Sequence, residues 1–146
     1  MIINERKGNL FELDRKYTLV HCISEDCKMG AGIATQFDKK FKNMKTELLE
    51  TIKINNLSFP ITLHYTGRKQ NVLNLITKKV YYGKPTYKTI TECIKQMKWY
   101  IEEYNIRYLA MPKIGCGLDK LQWGKVRSIL EEELKDIDVE IEVRYL

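Results

Sequence analysis

The sequence lacks the long apolar segments of membrane-spanning and secreted proteins. No apolar run in its 146 residues approaches the roughly 20 residues that a membrane-spanning helix needs. The polar first residues are not followed by the apolar core of a secretory signal. We therefore expect a protein that is not secreted and has no membrane partner. Its expected location is the cytoplasm, or the nucleus if the source is eukaryotic.

Linkers and repeats are also missing. There are three prolines, and no Pro/Gly-rich stretch, internal repeat or low-complexity segment. The length is close to that of one domain, and 44% hydrophobic with 30% charged residues is an ordinary globular composition. These features predict a single domain over residues 1–146.

Histidine and cysteine are too few, and too irregularly spaced, for a zinc site. The chain has two histidines and four cysteines. His21, Cys22 and Cys27 do not have the spacing of zinc ligands, and no Cys-x-x-Cys pair follows them. In a reducing compartment the cysteines are expected to be free thiols. We expect neither a metal nor a cofactor.

Positive charge is in surplus, with a formal net charge of +6. Such a surplus favours anionic partners, including phosphates, nucleotides and nucleic acid. The lysines are nevertheless spread along the chain and form no dense basic block. The charge therefore has two interpretations, which are anion binding and a lysine-rich solvated surface.

Hydrophobic periodicity indicates alternating strands and helices. The pattern predicts strands at 17–23, 61–65, 72–76, 108–111 and 139–145, and helices at 31–41, 44–53, 86–104 and 123–135. This alternation is typical of an α/β fold around a mixed sheet. Ligands of such folds bind beyond the carboxyl ends of strands, where loops lead into helices.

Two glycine-bearing loops occupy such positions. The first contains Gly30 and Gly32, but Thr35 breaks the dinucleotide fingerprint, and no P-loop motif is present. The second contains Gly115 and Gly117. Two loops of this kind can hold a pyrophosphate from both sides through backbone N–H groups. Asp119, in the second loop, is a helix N-cap, a base or a residue that orients another group.

Lys78 leaves the strand predicted at 72–76 at the same edge of the sheet. A lysine amine attacks carbonyl and anomeric carbons when it is neutral. Burial favours the neutral amine, whereas a nearby Asp119 or pyrophosphate favours the ammonium. Three tyrosines follow and are candidates for an aromatic rim around an acceptor base, although we expect at least two of them to pack against the neighbouring helix: Tyr81, Tyr82 and Tyr87.

The order and spacing of four blocks resemble the macrodomain family, and within it the terminal ADP-ribose protein glycohydrolases. The blocks are residues 21–34, 76–79, 84–87 and 111–119, and the resemblance extends from about residue 7 to residue 146. It implies a three-layer α/β/α macrodomain with a mixed, mostly six-stranded sheet. It also implies ADP-ribose as the ligand and no metal.

The resemblance also implies roles for individual residues. Lys78 matches the catalytic lysine, which attacks C1″ of the distal ribose and forms a lysyl–sugar intermediate. Asp119 matches the aspartate that assists resolution of this intermediate. The residues that match ADP-ribose-binding positions are Asn9, Leu10, Ser24, Gly30, Ala31, Gly32, Ile33, Thr77, Lys113, Ile114, Gly115, Cys116, Gly117, Leu118 and Leu146.

The sequence departs from the family pattern at two places. Asn9 stands where the family has an aspartate that accepts a hydrogen bond from the adenine amine. An amide oxygen also accepts, but without charge, so we expect weaker selectivity for adenine. Residues 80–83, which follow Lys78, differ as well and leave the acceptor preference open.

The leading hypothesis is an ADP-ribosyl-acceptor hydrolase that removes terminal mono-ADP-ribose through a lysine–aspartate pair. The acceptor is a Glu or Asp ester, an O-acyl group or a DNA base. The partners are then ADP-ribose and ADP-ribosylated protein or nucleic acid, and we expect a monomer. The alternatives are a reader that binds ADP-ribose without turnover and a nucleic-acid-binding module.

Overall fold

The chain forms six β-strands and four α-helices, and the computed structural model describes residues 1–146. The strands are β1 (Ile2–Lys7), β2 (Thr18–Ser24), β3 (Ile61–Tyr65), β4 (Val72–Lys78), β5 (Tyr108–Met111) and β6 (Glu140–Tyr145). The helices are α1 (Ala34–Lys40), α2 (Met44–Ile54), α3 (Tyr87–Glu103) and α4 (Trp123–Leu134), with a short 3-10 helix at Leu10–Glu12. None of the helices is long and apolar enough to cross a membrane.

All six strands belong to one mixed sheet with the order β1-β6-β5-β2-β4-β3. Every neighbouring pair is parallel except β3 and β4, which are antiparallel. The carboxyl ends of β2, β4 and β5 therefore meet at one edge of the sheet. The three segments singled out in the sequence follow these three strand ends.

Helices cover both faces of the sheet. On one face α3 and α4 form a core of 17 buried residues with inward-facing residues such as Leu73 and Leu75. On the other face α1, α2 and the 3-10 helix form a core of 14 buried residues that includes Val72 and Ile76. Because β4 contributes to both cores, it reads as a nearly continuous apolar run. The three-layer α/β/α prediction is confirmed.

Two elements differ from the predicted pattern. The helix predicted from residue 31 begins at Ala34, because Gly32 has φ +62° and lies outside a helical conformation. The terminal strand, predicted to have one buried face, lies between β1 and β5 and has buried residues on both faces. Its Glu142 is therefore buried, and it forms ion pairs with Arg6 at 2.6 Å and Arg144 at 3.1 Å. The pattern also did not predict β1, whose side chains are mostly polar.

A buried polar pair links the middle of β2 to the middle of β4. His21 Nε2 lies 2.7 Å from Asn74 Oδ1, and Asn74 Nδ2 donates to the Leu63 carbonyl. This arrangement identifies Nε2 as the protonated nitrogen of a neutral ring. The ring stacks on Phe37 with centroids 3.8 Å apart. Burial lowers the pKa of His21 to about 4, and the hydrogen bond to Asn74 offsets only part of that effect.

We expect His21 to make the protein sensitive to mild acid. The native pKa lies below the ordinary value of 6.5, so the unfolded chain binds the proton first as the pH falls. The free energy of unfolding should decrease by about 3 kcal/mol between pH 6.5 and pH 4 through this residue. Urea unfolding across this range should show a flatter pH dependence for His21→Gln, which keeps a donor for Asn74 but does not titrate. Parallel profiles for the two proteins would contradict this role of His21.

Candidate active site

A cavity of about 1040 Å³ opens at the edge where β2, β4 and β5 end. This volume is at the upper end of the range for small-molecule sites, so the cavity accommodates a ligand of nucleotide size or larger. Its walls come from the β2–α1 loop, the end of β4, the β5–α4 loop, the segment before the 3-10 helix and the end of β6.

All but one of the predicted site residues line this cavity. Those that do are Asn9, Leu10, Ser24, Gly30, Ala31, Gly32, Ile33, Lys78, Lys113, Ile114, Gly115, Cys116, Gly117, Leu118, Asp119 and Leu146. Thr77 does not. Side chains alternate along a strand, so Thr77 points away from the side that Lys78 faces. Its side chain is buried and its hydroxyl has no hydrogen-bond partner.

Lys78 and Asp119 form an ion pair inside the cavity. Lys78 Nζ lies 2.5 Å from Asp119 Oδ1, although the residues are 41 positions apart in the sequence. Their side chains are only 13% and 14% exposed. Asp119 is not a helix N-cap, because α4 begins at Trp123 with Gln122 in the capping position. The contact that the structure shows for the Asp119 carboxylate is therefore its ion pair with Lys78.

Both glycine loops present unbonded backbone donors. The N–H groups of Gly30, Ala31, Gly32 and Ile33 have no acceptor within the protein, and neither do those of Gly115, Gly117 and Leu118. Most of these residues are exposed, so their N–H groups are open to solvent or to a ligand, and a concave set of such groups binds anions. The loops also meet, because the Leu118 side chain lies 3.5 Å from the Cβ position at Gly32. The cavity therefore has free backbone donors on two of its walls.

Gly115 and Gly117 have different structural roles. Gly115 has φ +73°, and an added Cβ would lie 3.1 Å from both the Ile90 and Leu121 side chains. Gly117 has an ordinary φ and no atom within 4 Å of a Cβ position. Gly115 is thus required for the shape of the loop, whereas Gly117 leaves space beside the free donors.

Asp26 supports the cavity without lining it, and the sequence did not predict this role. Its carboxylate accepts from Ser24 Oγ, from the Lys28 N–H at 3.3 Å and from the Tyr81 N–H at 3.0 Å. Partial burial raises the pKa of Asp26, but these hydrogen bonds lower it more, and the net shift is downward. The ionised carboxylate thereby joins the first glycine loop to the segment after Lys78. No local motif distinguishes Asp26 from an ordinary loop aspartate.

Lys84 was also not predicted as a site residue. Its Nζ donates to the Leu118 carbonyl at 3.1 Å and so connects the segment after Lys78 to the second glycine loop.

The thiols in the cavity are poor nucleophiles. Burial raises the pKa of Cys116 to about 11 and that of Cys22 well above its ordinary value. A cysteine must be a thiolate to attack. No group of three or more His, Cys, Asp or Glu side chains is placed to hold a metal ion. Among the amine and thiol side chains of the cavity, Lys78 is the one that is paired with a carboxylate.

At the opposite end of the cavity, the amide oxygen of Asn9 already accepts one hydrogen bond from the protein. Asn9 Oδ1 accepts from the Phe11 N–H at 2.9 Å and caps the 3-10 helix. The amide nitrogen is the other polar atom of the side chain, and it is a donor only. This end of the cavity is completed by the buried Leu10 and the exposed Leu146.

This combination of sheet, cavity and glycine loops defines a macrodomain, and the chain belongs to that family: the Macro domain model matches residues 20–130. The chain is 42% identical over 137 residues to the ADP-ribose glycohydrolase OARD1 of Bos taurus, with 94% of this chain and 87% of that protein covered. It is 25% identical over 136 residues to a DNA ADP-ribosyl glycohydrolase of Thermus aquaticus, with 90% of this chain and 38% of that protein covered. Its fold resembles the DarG macrodomain of Mycobacterium tuberculosis, with a TM-score of 0.89, 23% identity and coverage of 99% and 98%.

The two glycines of the second loop should respond differently to alanine. Gly115→Ala should lower the free energy of unfolding by about 1–3 kcal/mol, because it places a Cβ on a left-handed residue in a crowded position. Gly117→Ala should leave stability nearly unchanged but weaken ADP-ribose binding at least about tenfold, or about 1.4 kcal/mol, by filling the space beside the donors. Thermal unfolding and calorimetry measure the two effects. Equal stability losses in the two variants would show that the backbone at Gly115 does not require glycine.

Asn9 should limit the selectivity of the cavity for adenine. In Asn9→Asp, one oxygen still accepts from Phe11 while the second replaces the amide nitrogen and accepts from the adenine amine. We expect the preference for ADP-ribose over inosine diphosphate ribose, which lacks that amine, to rise about fivefold, or about 1 kcal/mol. The ratio of the two dissociation constants cancels any general effect of the added charge. An unchanged ratio would place the base elsewhere.

Proposed function

We propose that the chain is an ADP-ribosyl-acceptor hydrolase in which Lys78 is the nucleophile and Asp119 transfers the proton. The observation that carries this proposal is the 2.5 Å Lys78–Asp119 pair, which is largely shielded from solvent within a cavity that has two anion-binding loops. The hydrolase class also agrees with the printed names of the relatives, which are ADP-ribose and DNA ADP-ribosyl glycohydrolases.

The proposed binding mode follows the length of the cavity. The diphosphate lies between the donors of residues 30–33 and those of residues 115–118. The nucleoside extends toward Asn9, Leu10 and Leu146. The distal ribose then lies at the end of the cavity that holds Lys78 and Asp119, with Ser24 beside it. Thr77, which faces away, is not part of this site.

The first chemical step begins with the shared proton of the ion pair. When this proton is on Asp119, the Nζ lone pair attacks C1″ of the distal ribose. The C1″–acceptor bond breaks, and its electron pair leaves with the acceptor atom, which takes one of the protons of the new ammonium nitrogen. The product is a secondary amine that joins Lys78 to the sugar. Shielding of the pair from water keeps these proton transfers between neighbouring groups.

Asp119 then resolves the intermediate. Its carboxylic acid returns the proton to the nitrogen, water attacks C1″, and the C1″–N electron pair returns to Lys78. The proton lost by the water passes to Asp119, so free ADP-ribose leaves and the ion pair forms again. The same two steps serve a Glu or Asp ester, an O-acyl group or a DNA base when the acceptor is bonded to C1″, because the reacting carbon is then the same in each substrate.

A substitution of Lys78 separates the hydrolase from an ADP-ribose reader. Lys78→Ala should reduce hydrolysis of 1″-O-acetyl-ADP-ribose and of an ADP-ribosylated Glu protein by more than about a hundredfold, while ADP-ribose still binds. Lys79→Ala is the matched control, since this neighbouring lysine is exposed and does not line the cavity. Equal turnover by wild type and Lys78→Ala would refute the assignment. Binding without turnover of any substrate by the wild-type protein would identify a reader.

Asp119→Ala provides a second variant for the same experiment. It keeps the amine but removes the group that returns the proton to nitrogen. Intact-protein mass spectrometry should detect one ADP-ribosyl group on this variant, and Lys78→Ala,Asp119→Ala should carry none. An adduct on the double variant would place the nucleophile on another residue.

A further inference from the structure

Two tyrosines beside Lys78 are exposed instead of packed. Tyr81 is 58% exposed and Tyr82 is 74% exposed, and both line the mouth of the cavity. Their ring centroids are 5.2 Å apart at an interplanar angle of 89°. The expectation that at least two of the three tyrosines pack against the helix is wrong. Only Tyr87 is half-buried, with its hydroxyl oxygen accepting from the Gln122 N–H at 3.0 Å.

The backbone that carries the two rings is fixed at several points. Tyr81 N–H donates to Asp26, Gly83 N–H donates to the Val80 carbonyl at 2.9 Å, and Lys84 Nζ donates to the Leu118 carbonyl. The capping box of Thr86 and Thr89 starts α3 directly afterwards. The backbone that carries the rings is therefore placed at the cavity before any ligand binds, which lowers the entropy lost on binding.

The surroundings of the rings are positively charged. Lys28 on the first glycine loop and Lys84 on the tyrosine segment itself are both exposed, and both line the cavity. From residue 51 to residue 91 the chain has seven Lys and Arg and no Asp or Glu. The nearby Asp26 carboxylate is occupied by three donors. An approaching anion thus meets cations and no free carboxylate on this segment.

Exposed aromatic faces next to lysines are suited to single-stranded nucleic acid. Each base that stacks on an aromatic ring contributes about 1–3 kcal/mol, and lysines attract the phosphates. An acidic peptide would form ion pairs with the lysines but would not stack on the faces of the two rings. We propose that Tyr81 and Tyr82 stack on bases that flank an ADP-ribosylated nucleotide, while Lys28 and Lys84 contact the phosphates of the same strand. This inference rests on the proposed function and assigns its acceptor to a single-stranded nucleic acid.

The experiment compares three substrates. One is a single-stranded DNA oligonucleotide with a base-linked ADP-ribose, the second is 1″-O-acetyl-ADP-ribose, and the third is an ADP-ribosylated Glu peptide. For Tyr81→Ala,Tyr82→Ala we expect kcat/KM on the DNA to fall at least about tenfold more than on the other two substrates. Tyr81→Phe,Tyr82→Phe, which keeps both faces, should restore most of the loss. Tyr104→Ala removes a tyrosine that is 52% exposed and outside the cavity, and is the matched control.

A salt titration provides an independent measurement of the phosphate contacts. For the DNA substrate, Lys28→Ala,Lys84→Ala should reduce the slope of log KM against log salt by about 1–2, since each phosphate contact contributes about 0.7 for a single strand. An unchanged slope would remove the two lysines from the proposal.

The outcomes separate this inference from the proposed function. Equal losses on all three substrates would make the tyrosines a general part of the site and would overturn the nucleic-acid assignment, as would a larger loss on the Glu peptide. If the wild-type protein hydrolyses none of them, the proposed function fails. Fluorescence anisotropy with an unmodified oligonucleotide then tests whether the two tyrosines bind bases. Loss of binding in Tyr81→Ala,Tyr82→Ala would support stacking on the tyrosines, and equal binding by wild type and variant would refute it.

Discussion

The parallel pairing of β2 with both β4 and β5 is the constraint on which the site depends. It brings together three strand ends that are far apart in the sequence, and each end supplies a different component. The loop after β2 and the loop after β5 carry the backbone donors, and the last residue of β4 is Lys78. Two buried cores, one on each face of the sheet, hold the strands in this register. The cavity is thus a consequence of sheet topology.

The Lys78–Asp119 pair is an arrangement that stability alone does not favour. Removing two charges from water costs free energy that their attraction only partly offsets, and apolar replacements of such pairs are often neutral or stabilising. A pair that is 13% and 14% exposed, at the wall of a large cavity, therefore suggests selection for reactivity. The same shielding that makes the pair costly keeps water from competing for the proton that the amine and the carboxylate share. Stability alone would favour apolar residues at these two positions, whereas the proposed reaction requires the charged pair.

Sequence patterns predicted much of the fold and fewer of the contacts. Strands β3 and β5 were predicted residue for residue, because their apolar runs are short and bounded by polar residues. The edge strand β1 was missed, since an edge strand with mostly polar side chains has no hydrophobic period. The resemblance indicated Lys78 and Asp119 as partners, but only the structure gave their separation. Thr77 was included on the resemblance, and strand alternation turns it away from the cavity. Asp26 and Lys84 act through backbone groups of distant residues, which no local pattern encodes.

The position of Asp26 between two loops has a thermodynamic consequence. One carboxylate accepts from Ser24 and Lys28 on the first loop and from Tyr81 on the segment after Lys78. A ligand that shifts either loop therefore also shifts the other through this shared carboxylate. Linkage is reciprocal, so under the proposed function a partner at the cavity mouth and the sugar inside the cavity would change each other's affinity by the same factor. A substrate that spans both loops would gain this coupling energy in one binding event, whereas the separate halves would each forgo it.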